Sequence, residues 1–215
     1  MACLHKFHNE LTLEGLNYQP NTLIVGTFNP IWPDGNNAQW FYGRTHDEYG
    51  NQNNNFWDVL PRLYNEDSLI NAGPDEWKSF CHRKAIAITD LIYSIDDAIE
   101  NNPTHRQILS TYSDKDIATK FEQHTFVDIE LILRNHPTIQ NVYLTRGIGE
   151  TFWRRRWRTV IAYANQNNIY ESRLLTPSGY AFYQQGRYNN RNPQNRIENL
   201  ADFILMAWEE VWHEL

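Results

Sequence analysis

Four short apolar runs punctuate the chain and set its rhythm. They are residues 22–27 (TLIVGT), 85–91 (AIAITDL), 142–145 (VYLT), and Leu174-Leu175 leading into Thr176-Pro177-Ser178-Gly179. Continuous apolar runs of this length are typical of strands buried on both faces of a parallel sheet. Between them the apolar residues recur at helical spacing. Phe56, Val59, Leu60 and Leu63 predict a helix over 54–64, which Pro61 should kink or split. A helical stretch is expected near 75–82. Phe121, Ile129 and Ile132 predict a long helix over 115–134, ended by His136-Pro137. Trp153, Trp157 and Ile161 predict a helix over 150–165, with Arg154 and Arg158 on a different face. A last helix is expected over 196–212. Strands that alternate with helices imply an α/β fold: a three-layer α/β/α sandwich with a central, mostly parallel four-stranded sheet, formed by one domain spanning 1–215. Ligands of such sheets bind outside the C-terminal strand ends. Asn29, Asp90, the Arg146-Gly147 turn and Thr176-Pro177-Ser178 fall at those ends.

The first strand feeds an unusually long polar segment. Gly26-Thr27-Phe28-Asn29-Pro30 is followed by Trp32, Trp40, Phe41 and Tyr42, with many asparagines, before any helix begins near Asn54. Loops of this length inside a domain are usually functional or disordered, and so many aromatics argue against disorder. An aromatic, amide-rich loop at a strand end fits a flat, polar ligand such as a nucleobase.

Composition narrows the classes. Aromatic residues make up 14% of the chain, enough for both a core and stacking surfaces. No apolar run approaches the roughly 18 residues of a membrane helix. The N-terminus has no signal-peptide core, so a cytoplasmic address, nucleoid-associated in a bacterium, and no membrane partner are expected. Cys3 and Cys81 are the only cysteines, which argues against a disulfide framework and a four-thiolate cluster. Cys3, His5 and His8 lie close together but lack a second ligand pair, so no metal is assigned. The net charge of −7 is unevenly spread. Residues 144–196 hold nine Arg, no Lys and two acids, 9 − 2 = +7, against 10 − 24 = −14 elsewhere. That asymmetry points to an anion-facing surface, although a solvated arginine face gives the same count.

Four motifs then line up. VGTFNP follows the first strand, an aromatic pair stands in FYGR, Asn54-Asn55-Phe56-Trp57 opens a helix, and LLTPSGYAF follows the last apolar run. With AITDLI and NHPTIQNVYLTRGIGETFWRR between them, they resemble the uracil-DNA glycosylase superfamily, nearest its mismatch-specific and hypoxanthine-type branches. The resemblance covers roughly residues 22–186. It implies base excision from DNA by hydrolysis of an N-glycosidic bond, in a monomer without cofactor. Such chemistry needs a positioned water, hydrogen bonds to the departing base and a means to flip the nucleotide.

By that resemblance Asn29, Asn54 and Thr176 are the catalytic candidates. Asn29 would orient the water, because an amide both donates and accepts; it could equally form only the turn before Pro30. Asn54 is its rival and could instead cap a helix. Tyr42 and Phe28 would contact the flipped base, and Asp90 would read its edge as a pure acceptor. Ser178 would grip a phosphate, Tyr180 or Phe182 would fill the vacated stack, and Arg155 and Arg187 would meet phosphates without reading sequence. The chain departs from the family pattern in three places. VGTFNP carries one extra residue before Asn-Pro. The usual His of the aromatic loop is replaced by Tyr42-Gly43-Arg44 and an insertion through Gln52. Thr176 stands where His or Asn is common. These changes imply a slow or narrowly selective enzyme, and the lack of a nearby Lys argues against a Schiff-base lyase. A nucleic-acid-binding member without catalysis stays open, as does an unrelated α/β enzyme, though no Gly-x-Ser-x-Gly or phosphate-loop pattern is present.

Overall fold

The computed structural model describes residues 1–33, 35–47 and 49–213. In chain order its elements are β1 (Cys3–Leu4), β2 (Thr22–Gly26), α1 (Phe56–Arg62), α2 (Pro74–Arg83), β3 (Ile86–Asp90), β4 (Ile92–Ile95), α3 (Pro103–Ser110), α4 (Asp114–Lys120), β5 (His124–Phe126), α5 (Ile129–Asn135), β6 (Asn141–Leu144), α6 (Thr151–Gln166), β7 (Tyr170–Arg173), a 3-10 turn (Gly179–Ala181), α7 (Phe182–Arg191) and α8 (Leu200–Glu209). The expected α/β fold is present, with a four-stranded sheet in the order β3-β2-β6-β7. β2 runs parallel to both neighbours, Leu23 opposite Ala87 and Val142. Every residue of β2, β3 and β6 is buried, which is why these strands read as unbroken apolar runs. Among the described residues no helix is long and apolar enough to cross a membrane.

The chain forms two compact units. The first comprises Met1–Asn37, Ala85–Leu144 and Ile148–Glu171. Its core joins Leu23 and Val25 of β2, Val142 and Leu144 of β6, and Ile129, Ile132 and Leu133 of α5. Trp153, Trp157, Val160 and Ala164 of α6 complete it at helical spacing. Trp157 donates its indole N–H to Glu171 at 2.6 Å, so even the buried ring keeps a polar partner. A second, antiparallel sheet in the order β1-β4-β5 belongs to this unit. The second unit comprises Ala38–Lys84, Thr145–Gly147 and the chain from Ser172. Here α1 packs on α8, with Phe56 edge-on to Trp208 at 5.8 Å between centroids. Trp57 stacks on Trp77 at 5.1 Å and on Trp40 at 5.7 Å. Trp57, Trp77 and Trp208 donate their indole N–H groups to the carbonyls of Phe41, Leu69 and Leu175.

Three sequence expectations need correction. The single helix over 115–134 is two short helices with a strand between. Ser113 caps α4 by accepting from the Asp116 N–H, and the extended backbone of Phe121 ends it. His124–Phe126 then pairs with β4, and Asp128 caps α5 by accepting from the Leu131 N–H at 2.9 Å. The fourth strand is Tyr170–Arg173 and stops before Leu174. It is a half-exposed edge strand, so it lacks the apolar run that marks its neighbours. Pro61 does not split α1; the helix runs through it and ends one residue later. The Trp57 carbonyl, which Pro61 cannot serve, accepts the Leu69 N–H at 2.8 Å instead.

Candidate functional site

In the second unit, two motifs far apart in sequence are clamped together. Asn54 forms an antiparallel bridge with Ser178. Next to it, Asn55 donates to the Pro177 carbonyl twice, from its backbone N–H at 2.7 Å and from Nδ2 at 3.0 Å. Asn55 is buried, and its Oδ1 accepts from Gln52 at 2.6 Å. On the other side of Pro177 the hydroxyls of Thr176 and Ser178 lie 3.0 Å apart, and Ser178 accepts from the Tyr180 N–H. Asn54 uses its Oδ1 to accept from the Phe56 N–H at 2.9 Å, an Asx-turn just ahead of α1, whose N-cap position is Asn55. Its Nδ2 makes no hydrogen bond among the described residues. Gln52 and Asn54 are themselves placed by a small reverse turn: His46 bridges Gln52, the Asn53 N–H reaches the Thr45 carbonyl, and Asp47 accepts from Tyr49 and Asn51. The Asn51 side-chain bond also holds the Asp47 carboxyl below the usual carboxylate range.

Tyr42 belongs to the same group. Its ring lies flat on Phe56, 3.8 Å between centroids and 3° from parallel, and its hydroxyl meets the Thr145 hydroxyl at 2.8 Å. The backbone of Tyr42 is left-handed, with φ +55°, a conformation that costs an L-residue roughly 1–2 kcal/mol. Strain of this kind collects at functional sites. The next residue has no freedom either. A Cβ on Gly43 would stand 2.8 Å from the Trp40 carbonyl and 2.8 Å from the Trp77 ring. Of the remaining loop aromatics, Trp32, Trp40 and Phe41 are buried.

The first unit carries the other candidates. Asn29 is half-buried just past β2; its carbonyl accepts from the Lys6 N–H, and its Oδ1 accepts from Asn36 at 2.6 Å. Its Nδ2 makes no hydrogen bond among the described residues. Asp90, at the end of β3, meets the fully buried His5 at 2.6 Å. His5 Nδ1 accepts from the Phe7 N–H at 2.9 Å, which fixes the proton on Nε2 and makes the ring a donor to Asp90. Phe28 is buried against the same imidazole, edge-on at 5.7 Å. The N-terminal segment is therefore built into the unit. Cys3 pairs with Ile95 in β1, and burial pushes its thiol up to about 11. Among the described residues no cluster could hold a metal.

Arg155 lies exposed on α6 in the first unit, and Arg187 lies exposed on α7 in the second. Neither makes an ion pair among the described residues. Tyr180 is 74% exposed on the turn before α7.

Sequence reasoning missed Asn55, Thr145 and His5. Asn55 sits in a run of three asparagines with nothing to single it out. The partners of Thr145 and His5 lie 103 and 85 residues away.

No family model and no curated protein matches the chain. Among solved structures, the chain is similar to the solution NMR structure of a candidate uracil DNA glycosylase from Methanosarcina acetivorans. The two share 14% identity over 92% of this chain and 94% of that one, with a TM-score of 0.50. At that identity the likeness is one of fold.

Proposed function

We propose that this protein is a monofunctional DNA glycosylase that hydrolyses the N-glycosidic bond of a deaminated or mismatched base of the uracil or hypoxanthine type, with water as nucleophile. The observation that carries the reading is the clamp of Asn54-Asn55 onto Pro177-Ser178. It joins the two motifs, Asn-x-Phe-Trp and Pro-Ser, on which the resemblance to the superfamily chiefly rests. The fold likeness to the Methanosarcina protein is consistent with it.

In this reading water oxygen bonds to the sugar C1′ while the C1′–N bond breaks; the base leaves with the bonding pair and takes up a proton from solvent, and the water gives up one proton to solvent. Asn29 holds the water. Asn36 already occupies one acceptor site of its Oδ1, which fixes the amide plane and leaves a lone pair and Nδ2 for the water. Tyr42, kept flat by Phe56 and Thr145, stacks on the flipped base without first having to reorient. The Thr176–Ser178 hydroxyl pair retains one proton not used between them, a donor for the charge that develops on the departing base. Asp90, oriented by His5, accepts from a base N–H. Ser178, Arg155 and Arg187 hold phosphates, with Tyr180 in the vacated stack.

A second reading, a binding protein of the same fold without catalysis, draws on a specific fact. Two polar groups are already engaged: Asn54 Oδ1 with the Phe56 N–H and Asp90 with a buried histidine. A glycosylase screen decides between the two. Oligonucleotides carrying uracil, hypoxanthine, xanthine or mismatched thymine are incubated with the protein and treated with alkali. Cleavage at one of these bases supports the enzyme. Intact strands throughout, with DNA still bound, support the binder.

A further inference from the structure

Helix α7 has its polarity reversed. The residues it buries are Gln185 and Asn189. Gln185 donates to the carbonyls of Ile197 and Glu198, and Asn189 both donates to the Ile197 carbonyl and accepts from its N–H. The residues it turns to water are aromatic. Phe182 and Tyr183 are 64% and 68% exposed, and Tyr180, one turn earlier, is 74% exposed. Tyr180 and Tyr183 lie 5.7 Å apart as a tilted pair. Elsewhere among the described residues, exposed large apolar side chains occur singly, which is ordinary for a protein surface. Three within four positions form a patch, and such patches mark binding.

Charge says what binds there. Four residues advance a helix by about 40° beyond one turn, so Tyr183, Arg187 and Arg191 follow one another along one face, roughly opposite Gln185. Both arginines are exposed and make no ion pair among the described residues. From Ser172 to Ile197 the chain contains no acid, and its charged residues are Arg173, Arg187, Arg191 and Arg196. Rings that offer π-faces, followed by unpaired arginines, are the arrangement that binds a nucleic acid strand with unstacked bases. A duplex offers those rings no faces, since its bases are stacked on each other. One intercalating side chain is enough to fill the gap left by a flipped base; three adjacent exposed rings exceed that need.

We infer that Tyr180, Phe182 and Tyr183 form a stacking platform for unpaired bases, with Arg187 and Arg191 on the phosphates, so that the protein prefers single-stranded or unwound DNA to duplex. This rests on the proposed reading only in taking DNA as the ligand. The test uses fluorescence anisotropy at low salt with the full chain. The probes are an undamaged thymine oligonucleotide of about 12 nucleotides, within the site sizes of single-strand binders, the same length as duplex, and the same length of abasic spacer. The thymine strand should bind at least about tenfold more tightly than either of the others. Tyr183→Ala and Phe182→Ala should each weaken single-strand binding about tenfold and leave duplex binding within about twofold, whereas Tyr183→Trp should retain it. Duplex binding as tight as single strand overturns the inference, as does abasic spacer binding as well as thymine, or no binding at all. None of these probes holds an excisable base. If an excision screen succeeds while duplex and single strand bind alike, the platform falls and the enzyme stands; if the thymine strand binds selectively and nothing is excised, the reverse holds.

Discussion

Asn55 offers a direct test of the clamp between the two motifs. Replacing it with Ala removes the Nδ2 bond to the Pro177 carbonyl and the Oδ1 bond from Gln52. Each such bond contributes about 0.5–1.5 kcal/mol net. The larger penalty for an orphaned buried group is avoided on both sides. The Pro177 carbonyl keeps the Asn55 backbone N–H at 2.7 Å, and Gln52 is exposed and reaches water. The expected loss is therefore about 1–3 kcal/mol, or roughly 2–12 °C in Tm for a chain of this size. Asn55→Asp should cost more. Its carboxylate cannot donate, sits against a carbonyl oxygen, and is buried where Asn55 is only 5% exposed. Those same effects raise the new carboxyl's pKa in the folded state. The variant is then relatively most stable below the unfolded value of about 3.9 and loses stability as pH rises through its folded value. Protonated, it donates to Pro177 and approaches the parent protein. Urea titrations followed by tryptophan fluorescence at pH 4 and pH 8 measure both effects. If Asn55→Ala costs nothing, or if Asp is no worse than Ala at pH 8, the clamp does not hold the Pro177 loop.

The other expectations are simpler. Asn29→Ala should lower single-turnover excision on the order of 100-fold with little change in Tm, whereas Asn54→Ala should lower stability by about 0.5–1.5 kcal/mol through the lost hydrogen bond from the Phe56 N–H; a folded, inactive Asn54→Ala beside a fully active Asn29→Ala reverses the two roles. Replacing Arg155 and Arg187 together with Ala should reduce the salt slope of DNA binding by about 1–2, two phosphates at roughly 0.7–0.9 each, without altering base preference. Burial raises both thiols, that of Cys3 to about 11, so native protein should react negligibly with a thiol reagent at pH 8 and yield two thiols in denaturant. By the same shift, the stability that Cys3 contributes is complete below the unfolded value of about 8.5 and falls as pH rises towards 11.

The sequence was informative where burial is uniform and contacts are local. β2, β3 and β6 are buried at every position, and α6 carries Trp153 and Trp157 one turn apart, so both patterns survive in the bare string. The 115–134 region misled because Phe121, Ile129 and Ile132 happen to fit a helical period across an intervening strand. Only the pairing of Ile95 with His124 and of Cys3 with Ile95 reveals that second sheet, and such pairing has no local signal. α7 was opaque for a different reason: an amphipathic reading turns aromatics inward, and here amides point inward. At the site a helix start near Asn54 was readable, but the N-cap position falls on Asn55, whose side chain is engaged by Pro177 and Gln52 instead. The tie between Asp90 and His5 was not readable, because neither residue constrains the other until the chain has folded.

The layout of the second unit has a consequence for synthesis. α1 emerges from the ribosome early, but the helix that covers Phe56 begins at Leu200, so 200 − 62 = 138 residues separate the two. At 5–20 residues per second, that is a wait of about 7–28 s. Throughout it, the face of α1 that carries Phe56 lacks its α8 partner, although Trp57 and Trp77 already have theirs within residues 40–77. The first unit ends at Glu171 and is complete before then. A translating chain thus carries one finished unit and one open seam, and the seam is where a chaperone would bind, where aggregation would start, and where a slow codon run before Leu200 would do most harm.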